Sequence, residues 1–261
     1  QAQFNEAIDL LNQPLPTYLL NEIPEAASIP LNNFIEIKNL SFRYTQETPK
    51  VLDNISLKIS KGDRIGFLGT TGSGKSTLLD IMMGLLTPTE GDFIVDGNII
   101  SPNNQRLWQA NIAHVPQAIF LADSSIKENI AFGKPLEEID LNLVKESARK
   151  AQISESIESW EYGYDSNVGE RGVKLSGGQR QRIGIARALY RNANVIIFDE
   201  ATSALDNKTE SLVMKELDSL DKDLTILIVA HRISTLKNCN LIIELEEGKI
   251  KSTGKYSEII K

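Results

Sequence analysis

Residues 69–77 read Gly-Thr-Thr-Gly-Ser-Gly-Lys-Ser-Thr: three closely spaced glycines, then a lysine and two hydroxyls. Gly69, Gly72 and Gly74 let the backbone bend so that successive N–H groups, including those of Thr70, Thr71 and Ser73, point into one concavity. If a helix starts where the loop ends, its unpaired N–H groups and its dipole both favour an anion there. Lys75 then reaches β- and γ-phosphates, and the neighbouring hydroxyls are Ser76, suited to ligate Mg2+, and Thr77. The flanks agree with this reading. Arg64 to Leu68 is a short apolar run suited to a buried strand, and Thr77 to Met83 has the apolar spacing of a helix. Strand, glycine-rich loop and helix together predict binding of a nucleoside triphosphate.

Two further stretches could do chemistry with that ligand. Val195-Ile196-Ile197-Phe198-Asp199-Glu200 is four apolar residues ending in two carboxylates. A buried strand carries such a pair to the C-terminal edge of an open sheet, where ligands bind. Asp199 is placed to hold Mg2+, directly or through water, and Glu200 to orient and deprotonate an attacking water. Leu175-Ser176-Gly177-Gly178-Gln179 precedes the run Arg180 to Leu189. Ser176 is a good N-cap, and the glycines leave the amides of the first turn accessible, which makes a second helix N-terminus suited to an anion. One nucleotide needs one phosphate cradle, so the second requires an explanation.

These motifs, with Ser203-Ala204-Leu205-Asp206, resemble the nucleotide-binding domain of an ABC (ATP-binding cassette) ATPase over residues 34–261. The resemblance implies an α/β fold: a P-loop NTPase core with a parallel sheet, an N-terminal antiparallel β lobe and an inserted α-helical signature subdomain at about 118–192. It implies ATP and Mg2+ as ligands, with Ser76, Gln117 and Asp199 around the metal. It also implies a head-to-tail dimer, in which Ser176, Gly177, Gly178 and Gln179 of one copy close over the γ-phosphate held by the other. That accounts for the second anion site. Tyr44, after Ser41-Phe42-Arg43, resembles the aromatic residue that stacks on adenine, and Gln117, in His114-Val115-Pro116-Gln117, the glutamine that senses metal and water. His231, after Leu227-Ile228-Val229-Ala230, resembles the switch histidine on the γ-phosphate, and Asp206 an aspartate of the dimer interface. The implied catalytic set is Glu200, His231, Gln117 and Lys75, whereas His114 reads as structural.

The elements that must position these residues follow from the pattern. Phe34 to Phe42, Val51 to Ile59 and Gly91 to Val95 are strand-like and form a β-rich lobe closed by the turn Asp96-Gly97. Residues 105–190 read as mainly helical, clearest at Leu141 to Gln152 and Ile183 to Tyr190, and are long enough for a subdomain. Val195 to Phe198, a helix near Thr209 to Leu217 and Leu224 to Ala230 then alternate, which implies a parallel sheet. Phe4, Ala7, Ile8 and Leu11 predict a short amphipathic helix, followed by a linker with Pro14, Pro16, Pro24 and Pro30 that ends near Asn33. With Gln1 rather than Met at the start, this reads as the tail of a preceding domain.

In 261 residues, 41% hydrophobic content suffices for a proper core, and a net charge of −7 argues against a nucleic-acid surface. The single cysteine, Cys239, excludes an internal disulfide and fits a reducing compartment. No stretch approaches the ~20 apolar residues that cross a bilayer, so the piece itself is expected to be soluble. Val168-Gly169-Glu170-Arg171-Gly172 and Ser125-Ile126-Lys127-Glu128-Asn129-Ile130 are similar to exporters whose transmembrane and ATPase domains share one polypeptide. The resemblance then implies a transmembrane domain as partner, a place on the cytoplasmic face of the inner membrane, and a lean towards a lipid or lipid-linked saccharide as cargo. Alternatives are a stand-alone importer ATPase, a soluble ABC ATPase of DNA repair or translation, and a non-hydrolysing clamp. The tether, the absence of coiled-coil insertions, and the presence of Glu200 and His231 argue against them in turn.

Overall fold

Four consecutive apolar residues at Val195 to Phe198 require a core on each side of their strand, because successive side chains point to opposite faces. The computed structural model, which describes residues 28–259 apart from 203, 221, 230 and 231, has both cores. Ile196 and Phe198 lie in one buried cluster, and Val195 and Ile197 in the other.

In chain order, β1 (Phe34–Phe42), β2 (Leu52–Ser60) and β3 (Arg64–Leu68) lead into helix α1 (Lys75–Met82). Then come β4 (Glu90–Val95), β5 (Asn98–Ile99), α2 (Gln105–Gln109) and β6 (Ile112–Val115). Helices α3 (Ile126–Ile130), α4 (Leu141–Lys150), α5 (Ser154–Glu158) and α6 (Gly177–Tyr190) follow. The chain closes with β7 (Val195–Asp199), α7 (Asn207–Asp218), β8 (Thr225–Val229), β9 (Leu241–Glu246), β10 (Lys249–Gly254) and α8 (Tyr256–Ile259). One sheet is antiparallel, in the order β2-β1-β4-β5. The other runs β10-β9-β3-β8-β7-β6 and is parallel from β9 to β6, with β10 antiparallel on its edge. The antiparallel lobe and α1 share a core with one face of this sheet. Helices α3 to α7 share a core with the other face. The α/β architecture with its antiparallel lobe and helical insertion is the one expected.

Several details differ from the sequence reading. The stretch read as mainly helical contains a strand just after α2: β6 pairs in parallel with β7, from Ile112↔Val195 to Val115↔Phe198. Four residues, one of them an exposed histidine, are too few to show a period, and pairing with β7 decides the outcome. β9 and β10 were not anticipated. As its N-cap character implies, Ser176 starts α6 at Gly177, and this point agrees with the sequence reading. The end of the supposed linker packs on the domain: Leu31 is buried, and Ile29 donates to the Leu107 carbonyl at 3.0 Å. The predicted N-terminal helix and most of its linker lie outside the described residues.

Candidate nucleotide site

Strands β3, β8, β7 and β6 are neighbours in the parallel sheet and all end at one edge, in register at Phe67↔Val229, Asp199↔Val229 and Val115↔Phe198. The loop of Gly69 leaves β3 there, Asp199 ends β7 with Glu200 next after it, and Gln117 follows β6 in an exposed position. His231 follows β8 but lies outside the described residues, as does Ser203. Four segments distant in sequence are thus delivered to one sheet edge, the usual place for a ligand in an open parallel sheet.

The loop itself is tightly held. Gly69 has φ +149°, and a Cβ there would meet the Leu245 carbonyl oxygen at 2.3 Å and Ser73 Oγ at 2.6 Å. Gly74, at φ +101° and ψ 2°, is the N-cap of α1; a Cβ on it would meet Leu52 Cδ2 at 2.7 Å. Only glycine fits such contacts at positive φ. The Ser73 amide bonds the Thr70 carbonyl at 3.1 Å, and Ser73 is buried, whereas Thr70, Thr71, Gly72 and Ser76 are exposed. No side chain caps α1, so its first amides are left for another acceptor. Lys75 Nζ donates to the carbonyls of Gly69 at 2.7 Å and Thr70 at 2.9 Å. Tyr44, exposed beside the loop, shares a hydrogen bond of 3.2 Å with Thr77 Oγ1.

Burial pulls the Lys75 ammonium below its usual range, against the opposing charges of Glu200 and Asp199. Burial likewise pushes the Asp199 carboxyl up, with Glu200 adding to the effect and His114 and Lys75 opposing it. Glu200 adopts a left-handed conformation, φ +51°, and its amide bonds the Val229 carbonyl at 2.9 Å. A non-glycine residue in that region is strained, and such strain clusters at functional sites. Ser76, Gln117 and Asp199, the oxygen donors expected for a divalent cation, belong to segments that meet at this edge. Among the described residues no group of three His, Cys, Asp or Glu could hold a metal. That composition suits Mg2+, which takes one or two carboxylates and completes its shell from water and substrate phosphate.

The second glycine-containing helix start is built otherwise. Ser176 Oγ accepts from the Gln179 amide at 3.2 Å, and Gln179 Oε1 accepts from the Ser176 amide at 2.9 Å, a reciprocal capping box. Asp206 caps α7 by accepting from the amides of Lys208 and Thr209 and from Thr209 Oγ1 at 2.6 Å. Those bonds, the Thr209 hydroxyl first, hold its carboxyl below the ordinary range. Between the two, Gln181 Oε1 accepts from the Ala204 amide at 2.9 Å and ties α6 to the segment before Asp206. Sequence reasoning missed Gln181. Its signal is a polar residue on the buried face of α6, beside Ile185 and Ala188.

The two exporter-like motifs also meet. Ser125 and Asn167 form a β-bridge, and Val168 donates to the Ser124 carbonyl at 3.1 Å. A capping box between Ser125 and Glu128 starts α3 at this point.

The model of the family described as ABC transporter matches residues 52–203, more than half of the chain. The chain belongs to the ABC transporter family. It is an ABC ATPase domain by fold, and the ATP-binding subunits it is homologous to are ATPases. The alpha-hemolysin translocation ATP-binding protein HlyB of Escherichia coli O157:H7 is 42% identical over 253 residues, which are 97% of this chain and 35% of HlyB. The leukotoxin translocation ATP-binding protein LktB of Pasteurella haemolytica-like sp. (strain 5943B) is 39% identical over 254 residues, 97% of this chain and 35% of LktB. Among solved structures, a bacterial Atm1-family ABC exporter with ATP bound superimposes with a TM-score of 0.87 at 31% identity, over 98% of this chain and 44% of the exporter. The ABC ATPase domain spans about a third of the length of these curated relatives.

Proposed function

We propose that this domain powers export through a membrane-spanning ABC transporter by hydrolysing ATP between two head-to-tail copies of itself. The observation that carries the dimer is the fit of Gly177, the first glycine after Ser176. Among the described residues, a Cβ at Gly177 would meet only Ala204 Cβ, at 3.6 Å, an ordinary contact, whereas one at Gly178 would press on the Ala204 carbonyl oxygen at 3.3 Å. No contact among the described residues demands a glycine at position 177, and a body docked on that helix start would supply the demand. A phosphate held by the partner's loop fits it.

In this reading the amides of residues 69–77 and Lys75 hold the triphosphate, and Tyr44 stacks on adenine. Ser76, Asp199 and Gln117 would hold Mg2+, whose charge neutralises that developing on the phosphoryl oxygens. Glu200 accepts the proton of the attacking water while the water oxygen bonds to the γ-phosphorus and the bond to ADP breaks. His231 keeps the γ-phosphate in line. Ser176, Gly177, Gly178 and Gln179 close the site from the other copy, and Asp206 lies at the interface. ATP binding favours the closed dimer and hydrolysis releases it. The motifs around Ser125 and Val168 would meet the transmembrane partner, on the cytoplasmic face of the inner membrane. Relatives named for translocating α-hemolysin and leukotoxin support a polypeptide cargo in place of the lipid-linked saccharide suggested by the sequence.

The test is turnover and size of Glu200→Gln beside wild type. The variant is expected to lose at least about a hundredfold in kcat and to shift from monomer to dimer on adding ATP, read by size-exclusion chromatography with light scattering. Unchanged turnover overturns Glu200 as the base. A monomer under all conditions, also with the transmembrane domain attached, overturns the shared site.

A further inference from the structure

The β7–β8 pairing ends at Asp199↔Val229, with the Glu200 amide bonded to the Val229 carbonyl just beyond it. One continues through Thr202 into α7. The other continues through residues 230–231 into a 3-10 turn at Ile233–Leu236. Glu210, the fourth residue of α7, joins them again and is only 6% exposed. Its Oε1 accepts from Thr202 Oγ1 at 2.7 Å and from Thr235 Oγ1 at 2.8 Å. Its Oε2 accepts from the Arg232 guanidinium at 2.8 Å, and Arg232 also donates to Asn207 Oδ1 at 2.9 Å.

A carboxylate is a poor choice for packing alone. Glu210 shares the buried stripe of α7 with Val213 and Leu217, and an apolar residue there would avoid the desolvation that an ion suffers. Its three donors sit two residues beyond Glu200 and one and four residues beyond position 231. Oε1 bonds both loops and Oε2 adds a second bond to the loop after β8, so the distance between those loops depends on one side chain.

We propose that Glu210 is a positioning residue that holds the loop of Glu200 in register with the loop of His231. The inference rests on the hydrolytic reading above. Its site is separate from the loop of Lys75, so it acts on turnover and not on nucleotide binding.

Three variants test it, with kcat and KM for ATP measured on the full chain. Glu210→Gln keeps the shape but turns an amide towards Arg232, or towards the two hydroxyls. It is expected to lower kcat about tenfold or more, since small misplacements of reacting groups have effects of that size, with KM changed by less than about threefold. Thr235→Val removes one donor and is expected to lower kcat in the same way, whereas Thr235→Ser, which keeps the hydroxyl, restores it. Wild-type kcat in Glu210→Gln or Thr235→Val overturns the proposal, and so does equal loss in Thr235→Ser and Thr235→Val. Should Glu210→Gln fail to fold, the Thr235 pair decides alone. A wild-type chain without turnover would overturn the hydrolytic reading itself, which separates the two failures.

Discussion

The domain builds two glycine-bearing helix starts, and they are made by opposite means. At α1 two of the three glycines are required from inside. Gly69 and Gly74 lie at positive φ, pressed against backbone and side chains of β2 and β9, and no side chain caps the helix. At α6 the cap is supplied by Ser176 and Gln179, and Gly177 has room for a Cβ in normal helical backbone. The first loop is shaped by its own fold into a cradle. The second is a finished helix start in which a Cβ at Gly178 would press on the Ala204 carbonyl at 3.3 Å, whereas Gly177 has room and is accounted for by the proposed phosphate of the partner. A glycine pressed from inside reports on folding, whereas a helical glycine with room for a Cβ needs another reason.

Gly69→Ala is the strongest attack on this contrast. The added Cβ overlaps the Leu245 carbonyl at an unfavourable φ, so stability should fall by about 3 kcal/mol and ATP binding should be lost with the loop geometry. Denaturant unfolding and ATP titration check both. A Gly69→Ala chain as stable as wild type would remove the internal half of the comparison. Gly177→Ala should do the reverse. Unfolding free energy should stay within about 1 kcal/mol of wild type or rise, since alanine suits a helix better. ATP binding to the isolated chain should persist while turnover falls at least tenfold. Normal turnover in that variant would break the external half.

What could be read from the sequence divides along the same line. The loop at Gly69, the carboxylates after Phe198 and the helix after Ser176 were legible because each is a short local pattern with its own physical signature. β6 was not, because four residues carry too little pattern and its strand state depends on β7, some eighty positions away. Glu210 was hidden for a related reason. Its partners Thr202, Arg232 and Thr235 come from two loops, and only its place on the apolar stripe with Val213 and Leu217 marks it as unusual. Sheet-edge proximity of Asp199 and Gln117 likewise comes from strand order, which residue spacing does not encode.

A third cradle sharpens the comparison, with the smallest expected effect. The carboxylate of Asp96 accepts from three successive amides, Asn32 at 2.6 Å, Asn33 at 2.9 Å and Phe34 at 2.8 Å. Here the anion is part of the chain, which makes this site an internal counterpart of the loop at Gly69. Burial pushes the Asp96 carboxyl up, but the amides of Phe34, Asn32 and Asn33 outweigh it and leave it below the ordinary aspartate value of 3.8. A carboxyl held low in the folded state contributes stability above its unfolded value and loses it as pH falls through the folded one. Asp96→Asn should therefore lower stability by about 1 kcal/mol at neutral pH. The difference between variant and wild type should shrink as pH falls below 3.8, measured by urea unfolding. A difference independent of pH would show that the segment before β1 is held by shape, and that charge is needed only where the anion comes from outside.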